Sequence, residues 1–108
     1  MAEVVLEGER ITDWPSFHAH CRAVFGFPDF YGANMDAWID CLTYLYEGDG
    51  MSNIVLAREE SLSIQLRGTG DLAARQPEIL HALVECTAFV NRRYLDAGQL
   101  PPLHLVLV

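Results

Sequence analysis

An α/β fold follows from three observations on this chain. Short β-branched or leucine-rich runs near both ends are separated by helical stretches, which implies crossover connections and a small, mainly parallel three-stranded sheet with helices packed on it. At 108 residues and 51% apolar composition, the chain is long enough to bury a core without disulfides or metal. No linker, internal repeat or low-complexity segment divides it, so residues 1–108 are read as one domain.

The elements follow in order. Glu3 to Leu6 is a β-branched run closed by Glu7-Gly8-Glu9 and predicts a first strand. Thr12 or Asp13 caps a helix with Pro15 in its first turn, and Phe17, Cys21, Val24 and Phe25 fall on one face before Gly26-Phe27-Pro28 stops it. Asn34 is a good cap for a second helix, predicted to run to about Tyr46 and to break at Gly48-Asp49-Gly50. Asn53 to Ala57 has the continuous apolar character of a buried second strand. Residues 61–66 alternate, with Leu62, Ile64 and Leu66 on one face, and are read as an optional extra edge strand entered through a hairpin at Arg58-Glu59-Glu60. Gly68-Thr69-Gly70 is read as a loop. Pro77 opens a long amphipathic helix through Ile79, Leu80, Leu83, Val84, Cys86, Thr87, Val90 and Leu95, stopped by Gly98 and Pro101-Pro102, and Leu103 to Val108 closes the chain as a third buried strand.

Charge narrows the function classes. Seven arginines, no lysine and fifteen acids leave a net charge of −8, which repels nucleic acid phosphates and anionic membranes and argues against direct binding to either. A basic protein partner would be attracted and oriented by the same field. No stretch approaches a membrane span, and the start of the chain lacks the basic and apolar regions of a secretory signal. Cys21, Cys41 and Cys86 are an odd number at wide spacing, which fits reduced thiols and a cytoplasmic location.

The acids are unevenly placed. From Ala23 to Ala57 there is no lysine or arginine, yet this stretch holds Asp29, Asp36, Asp40, Glu47 and Asp49 beside several aromatics. On the second helix Met35, Trp38, Ile39, Leu42, Leu45 and Tyr46 gather on one side, and Asp36, Asp40, Thr43 and Glu47 on the other. Like charges one turn apart cost a helix about 0.2 to 0.5 kcal/mol, and only Asp36 lies close enough to the positive helix end to recover part of that. Asp40, outside that help, is the first candidate for a binding role; the plainer reading of the face is a solvated acidic surface. Gly32 most simply supplies a backbone conformation closed to other residues, Asn34 caps the helix or braces the loop, and Tyr31 is either an interface anchor or a packed aromatic.

The run Asp29-Phe30-Tyr31-Gly32-Ala33-Asn34-Met35-Asp36-Ala37-Trp38-Ile39-Asp40-Cys41-Leu42-Thr43 resembles the signature of the barstar family, intracellular inhibitors of secreted microbial ribonucleases. Its specific part is Tyr31-Gly32-x-Asn34-x-Asp36-Ala37 followed by Asp40-Cys41-Leu42-Thr43. The resemblance implies a small parallel sheet with packed helices, no enzymatic activity, no catalytic residue and no cofactor. It also implies a surface, Phe30, Tyr31, Gly32, Asn34, Asp36, Asp40, Thr43 and Glu47, that plugs a ribonuclease active site with Asp40 in the phosphate position. The partner would be a basic, extracellular-type ribonuclease, met by a chain that is monomeric when free. Where the family's model member has tyrosine, glutamate, tryptophan, glycine and tryptophan, this chain has Phe30, Ala33, Ile39, Tyr44 and Leu45, which implies a different target more than a different mode of action. Arg92-Arg93 stands in a helix region where the family can present acid.

Other chemistries find less support. His18 and His20 are two apart on a helix and point to different sides, with Cys21 on the apolar face, so no metal site is expected. Two carboxylates on one exposed face do not flank a cleft, and no nucleophile motif or cofactor fingerprint is present. The alternative from another class is an immunity or antitoxin module, an acidic mimic that neutralises a different basic partner such as a DNA-cleaving toxin.

Overall fold

The computed structural model describes residues 2–48 and 51–108. Strands β1 (Ala2–Glu7), β2 (Leu62–Arg67) and β3 (Leu103–Leu107) form one sheet in the order β1-β2-β3, with both pairs parallel. Helices α1 (Trp14–Phe25) and α2 (Met35–Thr43) lie between β1 and β2, and α3 (Thr69–Arg75) and α4 (Pro77–Asp96) between β2 and β3. The chain is therefore α/β with a wholly parallel three-stranded sheet, as the crossover pattern predicts.

The register aligns Val4, Ile64 and Leu105, and on the same face Ala2, Leu62 and Leu103. Leu6, Leu62, Ile64 and Leu66 are completely buried there, whereas Glu3 and His104 on the opposite face are exposed. One covered face explains why the strands alternate rather than run continuously apolar. Trp38, Phe17, Phe25, Ile11, Leu42, Leu45, Leu72 and Leu83 complete the core, and each such side chain contributes about 1.5 to 3 kcal/mol by leaving water.

Four strand and helix expectations are corrected. Asn53 to Ala57 is not a strand: Asn53 N–H donates to the carbonyl of Phe25, the last residue of α1, at 3.0 Å and Leu56 N–H to the carbonyl of Leu45, just after α2, at 2.7 Å, and no strand among the described residues pairs with it. The 61–66 region is not an extra edge strand; as β2 it is the middle of the sheet. The turn before it does form, with Glu59 at φ +68° and Glu60 N–H donating to the Ala57 carbonyl, but it delivers the chain to the sheet instead of reversing a hairpin. β3 is an edge strand with Val106 and Leu107 half exposed, not a buried one. Thr69 and Gly70, read as loop, begin α3, a short helix with Leu72 as its buried residue.

The predicted ends of α1 hold. Asp13 accepts from Ser16 N–H at 2.8 Å within a capping box, Pro15 sits in the first turn, and Gly26 ends the helix at φ +69°. A side chain at Gly26 would also strike Asn53, whose Cγ is 2.3 Å from the position of an added Cβ.

Candidate functional site

Asn34 starts the candidate surface. Its Oδ1 accepts from Ala37 N–H at 2.8 Å as the cap of α2, while its Nδ2 donates to the Gly32 carbonyl at 3.2 Å, so one side chain fixes both the helix and the loop before it. The left-handed residue of this loop is Ala33, at φ +52°, not Gly32 as expected. At Gly32 the constraint is space: a Cβ there would sit 3.2 Å from the Asn34 amide nitrogen, which would have to give by a few tenths of an ångström.

Tyr31 is a brace more than a free anchor. Its hydroxyl hydrogen-bonds His18 Nδ1 at 2.6 Å, and its ring packs 4.7 Å from that of Phe27 and 5.7 Å from that of His18, on which Trp14 stacks. Burial raises the Tyr31 pKa well above 10, helped by the nearby Cys21 and Cys41 thiols, and burial lowers that of His18 below 6.5. Both groups are therefore neutral at pH 7. Phe30, one residue earlier, is 75% exposed, and Asp29 beside it is fully exposed and ion-paired with Arg22.

On α2, Trp38, Ile39, Cys41 and Leu42 are buried, and Asp36 and Asp40 are exposed one turn apart on the other side. Asp36 has no cation within ion-pair distance among the described residues. Asp40, with 61% of its side chain exposed, meets Arg93 of α4 at 3.3 Å. The same Arg93 Nη1 donates to Thr43 Oγ1 at 3.2 Å, whose own hydroxyl donates back to the Ile39 carbonyl at 2.7 Å. Next along α4, the Tyr94 hydroxyl donates to the Thr43 carbonyl. α2 ends at Thr43, earlier than expected, so exposed Glu47 lies in the following turn and does not extend the acidic helix face.

The family comparison matches residues 1–107 to the model described as "Barstar (barnase inhibitor)". The chain belongs to the barstar family. Barstar-family proteins are inhibitors that bind a ribonuclease as a protein partner; they are not enzymes. In this barstar-family chain Asp36, Asp40 and Thr43 share one side of α2 and Phe30 projects from the preceding loop, while Tyr31, Gly32 and Asn34 set the shape of that loop.

Sequence reasoning singles out Arg92-Arg93 and His18 without placing either at this surface, and it misses Tyr94. The signal for Tyr94 was present: Leu83, Thr87, Val90 and Tyr94 recur at helical spacing and are all buried, with Tyr94 6% exposed and the expected Leu95 55% exposed. Once Tyr94 faces α2, its neighbour Arg93 is placed at the edge of the same contact. His18 falls one residue after Phe17 and lies only 5% exposed against the loop aromatics. His20 turns elsewhere and accepts from Glu7 N–H at 2.9 Å, so the two histidines do not converge.

Proposed function

We propose that this chain inhibits a secreted ribonuclease by covering its active site with the 29–34 loop and the acidic side of α2. The observation that carries the proposal is the pair Asp36 and Asp40, exposed one turn apart on a helix whose other side is buried against the core. A ribonuclease must concentrate positive charge where it holds the RNA backbone, so two rigidly presented carboxylates gain most at that position. Asp40 serves as the phosphate mimic, Asp36 as a second partner for a basic group, and Thr43 and Glu47 as flanking contacts. Phe30 offers an exposed ring for a pocket beside the cleft. An odd number of widely spaced cysteines, Cys21, Cys41 and Cys86, fits action in the reducing cytoplasm, and the chain is proposed to be monomeric until it meets its target.

The test is a titration of RNA hydrolysis by a panel of guanyl-specific extracellular ribonucleases, barnase included. Stoichiometric loss of activity in at least one enzyme is the expected result. Blockade of a DNase with every ribonuclease untouched would replace this function with that of an immunity module for a DNA-cleaving toxin.

A further inference from the structure

Arg93 is held in place from three directions but uses little of its hydrogen-bonding capacity. Its Nη1 donates to Asp40 at 3.3 Å and Thr43 at 3.2 Å, and its guanidinium carbon lies 5.1 Å from the centre of the Phe89 ring. The Nε and Nη2 groups have no acceptor among the described residues. A guanidinium presents five donors in a planar fork, and an unused edge of that fork matches the two oxygens of a carboxylate. The side chain is 43% exposed, and Phe89 beneath it is about half exposed and lines a shallow groove with Ile39, Cys86 and Arg92. The surface around Asp40 is therefore a mixed one, in which a fixed cation stands directly beside the carboxylate proposed to enter a basic cleft.

We propose that Arg93 sets target choice: it disfavours a ribonuclease whose rim is basic at the point it faces and favours one that presents an aspartate or glutamate there. This rests on the ribonuclease reading above. In the free chain Arg93 occupies part of the charge of Asp40. A target cation that takes Asp40 weakens its pairing with Arg93, and an anion supplied by the target would recover that interaction at the free edge. A basic group at that point would instead meet Arg93 as a like charge and compete with it for Asp40.

Barnase is the probe, with affinity measured by calorimetry at fixed ionic strength for the natural chain and for Arg93→Met, Arg93→Glu and Arg93→Lys. Arg93→Glu is expected to bind barnase at least tenfold more tightly than the natural chain, with Arg93→Met between them. A set of barnase variants, each with one active-site-rim arginine or lysine changed to glutamate, is expected to include one that reverses this order. On that variant Arg93→Lys should lose part of the advantage, because it keeps the charge without the fork. Removal of a purely structural contact would not reverse with charge on the partner. Equal affinities of all four chains for barnase would overturn the proposal while leaving the ribonuclease function intact, as would an order that no rim variant reverses. Failure of all four to bind barnase would overturn it too, and inhibition of the other enzymes in the panel would then decide the function separately.

Discussion

Arg75 and Arg93 each fasten a helix to a neighbouring part of the chain, and they do so with unequal completeness. Arg75, at the end of α3, donates to the Ile11 carbonyl at 3.0 Å, the Gly8 carbonyl at 3.1 Å and Asp71 at 2.7 Å, so all three of its nitrogens are engaged in closing α3 on the turn after β1. Arg93 commits one nitrogen, shared between a carboxylate and a hydroxyl at longer distances. Both residues are arginines on helices with an acidic partner, so residue type does not separate them. A saturated guanidinium is a fastener, whereas one with a free edge beside an exposed carboxylate remains open to another molecule.

That difference can be broken from the binding side first. Asp40→Ala is expected to cost more than about 2 kcal/mol of affinity for the target, as at the centre of a desolvated charged interface, with the melting temperature of the free chain nearly unchanged. Barnase and barstar are themselves a standard illustration of such large charge effects, so the figure is a general expectation. Unchanged affinity, by calorimetry, would remove Asp40 from its role.

Arg75→Met should show the opposite profile. It strands the buried Ile11 carbonyl, and a loss of about 1 to 3 kcal/mol in denaturant unfolding is expected, with target affinity retained. Arg93→Met should change stability by less than about 0.5 kcal/mol, as for a solvent-screened ion pair. Similar losses for the two variants would erase the distinction.

The loop brace gives a pH dependence. Burial lowers the His18 pKa below its ordinary 6.5, so the unfolded chain takes up this proton before the folded one does. The contribution is present in full above about pH 6.5 and is lost as pH falls through the lower folded-state value. His20 is shifted in the same direction, by burial first and Arg10 second against an opposing effect of Glu7. The stability difference between the natural chain and His18→Gln should therefore shrink on acidification from pH 7.5 to pH 5, as thermal unfolding at each pH would show. A constant difference would mean that His18 does not titrate in this range. A small gain, about 0.5 kcal/mol net, is expected in thermal unfolding from Ala33→Gly, which relieves the left-handed strain at φ +52° but loosens the unfolded chain.

What sequence could deliver divides along similar lines. The caps at Asp13 and Asn34, the stop at Gly26 and the buried side of α2 depend on neighbours a few positions away, and these were legible. Asn53 to Ala57 carries strand-like residues, but its conformation is decided by carbonyls of Phe25 and Leu45 that only the fold brings near. Residues 61–66 alternate as a strand does, yet whether a strand is central or peripheral depends on its partners, not on its own alternation. At the site, the acidic face could be read from spacing. The arginine beside Asp40 could not, because it arrives from 53 positions away.

The parallel register has a consequence for how this molecule comes into being. Ala2 pairs with Leu62 and Glu7 with Arg67, so β1 waits for residues sixty positions further on before it belongs to a sheet. The 29–34 loop and α2 are synthesised inside that interval, before β2 and before α4, the helix against which α2 packs. Closing so large a loop rewards nothing until the central strand emerges, which favours one late cooperative step. A translation product released before residue 62 would carry Asp36 and Asp40 and have neither the sheet nor α4 to hold them.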